Sequence, residues 1–223
     1  MSEEKVSATG DTGQRPVVRF AIATEAWQFE QIHRLNYATF VEEIPQHERN
    51  DERRLVDRFH DENSYVVALT TDRVVGMVCL RDRRPFSVDE KIGPFESHLP
   101  PEVPAPRHPC EIRLLAIEPG HRNGKIILGL FERLLELGLS WGGDLAIMSG
   151  RPTNMKLYRA LGFRPFGLLM GTADAPFQPM FLTADRFTTL QARGRLMAAL
   201  PDRFVATLLS LAAADDAQTM EES

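Results

Sequence analysis

The stretch Glu111–Ile126, "EIRLLAIEPGHRNGKI", constrains this chain more than any other. An acid opens a mostly apolar run with the composition of a strand, and the run closes at Pro119. A short loop then supplies His121, Arg122, Asn123, Gly124 and Lys125 before apolar residues resume at helical spacing. The segment therefore predicts a strand with a carboxylate at one end and a small basic loop at the other, where a helix begins. Glycine in such a turn lets the backbone approach a ligand closely, and the unpaired N–H groups of a first helical turn favour anions. Arg122 and Lys125 add positive charge in the same place. A phosphate site is one reading of this loop, and an ordinary solvated helix start is the other.

The rest of the chain sets bounds on both readings. Its 223 residues suit one domain with ragged ends. Net charge is −5, so nucleic acid is not an expected partner and any anion site must be local. Cys79 and Cys110 make neither a metal nor a disulfide pattern and lie in apolar runs, which fits a reduced, cytoplasmic setting. The histidines show no ligand spacing, so no metal is expected. No apolar run is long enough to cross a membrane. Residues 1–16 read as a disordered leader and 214–223 as a disordered acidic tail.

Between these ends the pattern predicts a first strand over 17–23 and a helix from about Glu25 to Glu43 capped by Thr24. A second, charged helix is predicted over 50–61, "NDERRLVDRFHD", with Leu55, Val56 and Phe59 facing inward. "SYVVALTTDRVVGMVCLR" reads as a hairpin about Thr71-Asp72-Arg73. The stretch 82–109 has no periodicity and holds seven of the chain's fifteen prolines. Loops of that length are often lids or binding loops, and Phe86, Ile92, Phe95 and Leu99 give this one something to pack with. A helix from about Gly124 to Leu139 follows, then a strand over 144–150. A short helix over 153–163 is closed by Gly162, and "FRPFGLL" and "PFQPMFLT" read as strands. Helices over 184–213 extend the fold.

This order, with "IEPGHRNGK" and "LYRALGFRPFG" in their places, resembles the acyltransferases of the GNAT (Gcn5-related N-acetyltransferase) superfamily over roughly Val17 to Thr183. In "LYRALGF" a tyrosine precedes a Gly-Phe pair by four residues, as in that superfamily. The usual phosphate loop, Gln/Arg-x-x-Gly-x-Gly/Ala, appears here as His121 to Ile126 with one glycine kept. A narrower similarity runs through "RLNYATFVEEIPQHERNDERRLVDRFHDENSYVVAL", "VVGMVCLRD" and "EIRLLAI". It is to the acyl-homoserine-lactone synthases and the long-chain N-acyl amino acid synthases. The resemblance implies an α/β (α+β) fold, with a mixed, mostly antiparallel sheet splayed at its centre and flanked by helices.

The activity it implies is transfer of an acyl group, expected to be long, from acyl carrier protein or coenzyme A to the amine of an amino-acid-like small molecule. The acyl thioester would be a co-substrate, with no cofactor bound permanently. Acetyl-CoA-dependent acetylation is an alternative, and so is a non-catalytic acyl-thioester-binding module. Glu111 would take the amine's proton, and Tyr158 would protonate the leaving thiolate. The backbone of Leu115, Ala116 and Ile117 would pair with the pantetheine arm. His121 to Ile126 would meet its phosphate and Asn154 its amide. Arg34, Phe40, Arg81, Phe95 and Arg113 would line the substrate pocket, with Arg34 holding the acceptor's carboxylate and Glu48 and Asp51 as an acidic segment. The residues leave other roles open: Glu111 paired with Arg113, Tyr158 as core, Asn154 as a helix cap, Arg34 paired with Glu30, and Arg81, Arg83 and Arg84 merely solvated.

Overall fold

Runs rich in valine build the middle of the sheet: β2 (Ser64–Leu69) and β3 (Val74–Arg81) form the predicted hairpin and are buried almost throughout. The structure, a computed structural model, describes residues 17–172 and 176–192. β1 (Arg19–Ile22) flanks β2, and β4 (Pro109–Ile117) flanks β3, both antiparallel. β5 (Leu145–Gly150) runs parallel to β4, because α3 (Gly124–Ser140) crosses between them. β8 (Pro176–Thr183) closes on β5 and carries the two-residue strands β6 (Arg164–Pro165) and β7 (Met170–Gly171). The path is β1-β2-β3-β4-β5-β8-β6. This is the mixed, mostly antiparallel sheet expected.

Alternation along the strands sends successive side chains to opposite faces. Ala146 and Met148 join the core beneath α3, with Ile127, Phe131 and Leu134; α4 (Met155–Ala160) and α5 (Ala184–Ala192) pack on the same core. Gly129 lets α3 pass the Phe20 ring, which would sit 2.2 Å from a Cβ there. Leu145 and Ile147 face the other way, onto Phe86, Val88, Phe95 and Phe181. On that face lie α1 (Ala26–Tyr37), with Ile32 and Leu35 against Tyr65 and Met77, and α2 (Ser87–Ile92).

Several expectations are corrected. α1 ends in a π turn, Ala38–Glu43, and its start is held by Gln28, whose Oε1 accepts from the N–H groups of Thr24 and Glu25, rather than by Thr24. The helix expected over 50–61 does not form. The Asn50 side chain bridges the Arg54 backbone, Leu55 N–H donates to His33 O, and Arg53, Arg54 and Asp57 reach partners on other elements. Side chains that bond nearby backbone compete with the helix ladder. Only a 3₁₀ turn, His60–Glu62, remains, and Val56 is exposed. The segment 82–109 folds around α2 and a 3₁₀ turn, Phe95–His98, with Ile92 and Leu99 packed beneath. "FRPFGLL" yields only β6, because Gly167 turns the chain at φ +61° and Leu168 and Leu169 lie exposed. Gly162, at φ +99°, ends the α4 segment as read from the sequence. The leader, the tail and most of the 184–213 extension lie outside the described residues.

The sheet opens between β4 and β5. They pair only at Pro109–Leu145, Cys110–Ala146 and Glu111–Ile147, although β4 continues six residues to Ile117. Toward β3, Arg113 lies opposite Cys79 but Ala116 lies opposite Met77, so β4 carries one extra residue. Leu114 takes that bulge at φ +54°, a costly conformation for a γ-branched residue.

Candidate active site

The gap begins at Glu111, the last rung of the β4–β5 ladder. Its side chain is 1% exposed and turned to the α2 face. Ser87 N–H donates to it at 2.9 Å, the Ser87 hydroxyl at 2.6 Å and Val88 N–H at 2.9 Å. Glu111 therefore caps α2 across 24 residues of sequence. The alternative pairing with Arg113 does not occur, because Arg113 donates to Asp57 Oδ1 at 2.9 Å.

Asp57 belongs to a buried polar network that the sequence did not disclose. Asn63 Nδ2 donates to Asp57 Oδ2 at 2.6 Å and to the Tyr65 hydroxyl at 3.2 Å, which lies 3.1 Å from His60 Nδ1. His60 approaches His33, and Arg54 approaches His33 in turn. Phe59 is clasped by guanidiniums, with the Arg81 carbon 3.6 Å and the Arg113 carbon 4.6 Å from its ring centre. Arg81 is itself buried and paired with Glu62, so it is not available to an acceptor as expected. Arg84 pairs with Asp89 and Glu96, and Arg83 lies 3.9 Å from Asp82. Arg81 and Arg84 are thus held by partners within the chain, and Arg83 stands exposed. The acids that meet the strand arginines are Asp57 and Glu62; Glu48 and Asp51 stand exposed. The one signal for this segment in the sequence is the hydrophobic spacing around Phe59, which predicts a helix face.

At the other end of β4 the loop is partly spent on structure. Arg122 Nε donates to Ile117 O at 3.0 Å and its Nη2 to Glu43, which turns the guanidinium toward α1. Asn123 caps α3, its Oδ1 accepting from Ile126 N–H at 3.1 Å. His121 lies 3.4 Å from Glu118. Gly124 is buried, and Lys125 is exposed beside the first turn of α3. Leu115, Ala116 and Ile117 lie beyond the bulge, on the stretch of β4 that β5 no longer covers.

Tyr158 is buried on the α3 face, so Glu111 and Tyr158 approach the gap from opposite sides of the sheet. Its ring lies against the free end of β5, where a Cβ on Gly150 would sit 2.8 Å from Cε2. Burial raises the Tyr158 pKa, opposed by a hydrogen bond with Asn154. Asn154 is also buried, and its Oδ1 and the Thr153 hydroxyl have no hydrogen-bond partner among the described residues. Arg34 pairs with Glu30 at 2.7 Å on the surface of α1, Phe40 is half-buried against the core there, and Phe95 is wholly buried beside Phe86.

Two cavities flank this arrangement. A cleft of about 850 Å³ runs between α1 and the β4–α3 loop, walled by Gln31, Leu35, Thr39, Val74, Ile117 and Arg122. It joins the first helix to the β4–α3 loop and takes in no residue of the Pro-rich loop. The second, among Cys110, Leu134, Gly138, Ala146, Leu182 and Phe187, is a void of about 30 Å³. That is room for roughly one water molecule, so an acyl chain entering there must part the core.

A mixed sheet splayed between its parallel pair, with a bulged strand leading through a basic loop into a helix, defines a GNAT-like acyltransferase. Residues 31–208 match the family model of N-acyl amino acid synthase FeeM, and the chain belongs to that family. It is an N-acyltransferase. The structure of FeeM itself, an N-acyl amino acid synthase from uncultured soil microbes, aligns with a TM-score of 0.61 at 17% identity, over 81% of this chain and 98% of that one. The acyl-homoserine lactone synthase LasI gives 0.64 at 16%, over 82% and 96%. A CoA-dependent acyl-homoserine lactone synthase, BjaI, with SAM and isopentyl-CoA, gives 0.60 at 23%, over 74% and 80%. No curated protein matches by sequence. No described helix is long and apolar enough to cross a membrane.

Proposed function

We propose that the protein moves a long acyl chain from a thioester to the α-amine of an amino acid, with acyl carrier protein as the leading donor. The observation that carries this is the gap: β4 leaves β5 after Glu111, and from Ile112 to Ile117 its edge on that side has no strand partner. A pantetheine arm is an extended chain with amide groups and suits such an edge as an added strand. Asn154 Oδ1 offers one more acceptor to its amides.

The donor's carbonyl lies in the gap, and the amine comes from the α2 face because α3 and its core close the other. The amine nitrogen attacks the carbonyl carbon, a tetrahedral intermediate forms, and the C–S bond breaks. The Ser87 hydroxyl accepts the amine's proton while passing its own to Glu111, 2.6 Å away. Tyr158, on the far side of the gap and kept protonated by burial, donates to the departing thiolate; as the products leave, Glu111 gives up its proton through Ser87 to water and Tyr158 takes one back. The peptide N–H groups near the bulge stabilise the developing oxyanion. Lys125 and the first turn of α3 take a single phosphate, as a carrier protein's phosphopantetheine would present. Coenzyme A is a second reading, favoured by the 850 Å³ cleft beside that loop, which has room for a nucleotide.

Purified protein should be given long-chain acyl-acyl carrier protein, the matching acyl-CoA and acetyl-CoA in separate reactions with mixed amino acids, and products read by mass spectrometry. A long-chain N-acyl amino acid from either donor supports the proposal and tells the donors apart. Acetyl transfer alone, or no N-acyl product from either donor, refutes it.

A further inference from the structure

Lys91 carries a charge that its surroundings leave unanswered. It lies on α2, the helix that Glu111 anchors, and its Nζ reaches across to β5. There it donates to the Ser149 hydroxyl at 3.2 Å and stands 4.6 Å from the centre of the Phe177 ring on β8. Neither group neutralises an ammonium. The nearby carboxylates are committed elsewhere: Glu90 to Arg58, Asp89 to Arg84, Glu111 to Ser87 and Val88, Asp57 to Arg113. Each arginine in those pairs is neutralised in return, whereas no carboxylate among the described residues lies within 4 Å of Lys91.

Its place is as telling as its charge. Ser149 lies two residues past Ile147, the last β5 residue paired with β4, so the ammonium overhangs the gap from the open face. Lys91 is exposed, yet desolvation by the surrounding protein lowers its pKa, with the Glu111 and Glu90 charges opposing the shift and those of Arg113 and Arg58 adding to it.

We propose that Lys91 Nζ and the Ser149 hydroxyl form the subsite for the acceptor's carboxylate. This rests on the reading that the acceptor is an amino acid. A carboxylate held there leaves the α-amine one carbon away, directed at the gap and at Ser87. Phe177 walls the subsite. Glu111 then acts twice, as proton acceptor and as the anchor that sets where Lys91 stands.

The chain has only four lysines, Lys5, Lys91, Lys125 and Lys156, so competitive acetic-anhydride labelling resolves each by mass spectrometry. Because both competitors consume reagent, the readout is Lys91 labelling relative to Lys125 and Lys156: mixed free amino acids should lower that ratio several-fold, while the corresponding carboxamides should leave it unchanged. In the transfer assay, Lys91→Met should raise KM for the acid roughly 10- to 100-fold, the range for one lost charge-assisted hydrogen bond, with kcat less affected. KM for the carboxamide should stay within about twofold of wild type, and Lys91→Arg should restore part of the loss for the acid. Equal protection by acid and amide, no protection, or equal losses on both acceptors overturns the assignment. Wild type that acylates no amino acid defeats the acceptor reading instead, and the labelling result still decides the carboxylate site.

Discussion

Replacing Glu111 separates two roles that most designs would confound. The side chain is 1% exposed and meets two N–H groups and one hydroxyl within 2.9 Å. Glu111→Ala strands two of those donors in the interior and removes the α2 cap. Unpaired buried donors cost about 1–3 kcal/mol each, so the two together, which are the cap itself, cost roughly 2–6 kcal/mol. In a chain of this size that lowers Tm by roughly 4–24 °C. Glu111→Gln keeps the volume and one acceptor oxygen but turns an amide NH₂ toward a donor, so the loss falls to about 1–3 kcal/mol. Both variants lose turnover, so activity alone does not discriminate. Hydrogen exchange does: the Ser87 and Val88 amides should speed up about tenfold for every 1.4 kcal/mol lost locally. Should Glu111→Gln abolish turnover with Tm and α2 exchange both unchanged, Glu111 is a base and nothing more, and the anchoring argument fails.

His33 is depressed below 6.5, first by burial and then by the His60 and Arg54 charges. The unfolded chain therefore takes up this proton at higher pH than the folded one, so stability is lost as pH falls below about 6.5. His33→Gln should flatten Tm against pH between about 5 and 7, and an unchanged slope refutes the assignment. Gly150→Ala places a Cβ 2.8 Å from the Tyr158 ring. It should cost about 1–3 kcal/mol of stability and reduce kcat more than it raises donor KM; an unaltered Tm and kcat show that the ring is not fixed there. Burial pushes the Cys110 thiol up to about 12 and raises Cys79 as well. A thiol reagent at pH 8 should reach neither until the protein is denatured, and Cys110→Ala should keep its turnover. Rapid labelling of Cys110 with loss of activity argues for an acyl-cysteine intermediate instead of direct transfer.

The elements read correctly from sequence are those whose signal is local. The hairpin of β2 and β3 is written in consecutive β-branched residues, and α3 in seventeen residues of apolar periodicity capped by Asn123. The gap itself was expected from resemblance, because no spacing says that two strands part. α2 has six residues, too few to show a period, and the group that caps it stands 24 residues downstream. The segment 50–61 has helical composition, yet its charges answer to Glu30, Glu42 and Arg113, which are near only after folding. Glu111 and Arg113 share a strand face as read, and each nonetheless finds a partner on another element. Lys91 stood in a proline-rich stretch without motif or period, and only the folded loop brings it to Ser149.

Everything turns on where the donor lies, and amide hydrogen exchange with a non-reactive pantetheine thioether added can locate it. Protection should concentrate on Arg113 to Ile117 and on Met148 to Gly150, the two edges of the gap, with a smaller effect at Gly124 and Lys125. Exchange unchanged along both strand edges, with protection confined to the cleft beside α1, would place the thioester elsewhere and remove the basis for transfer through the sheet.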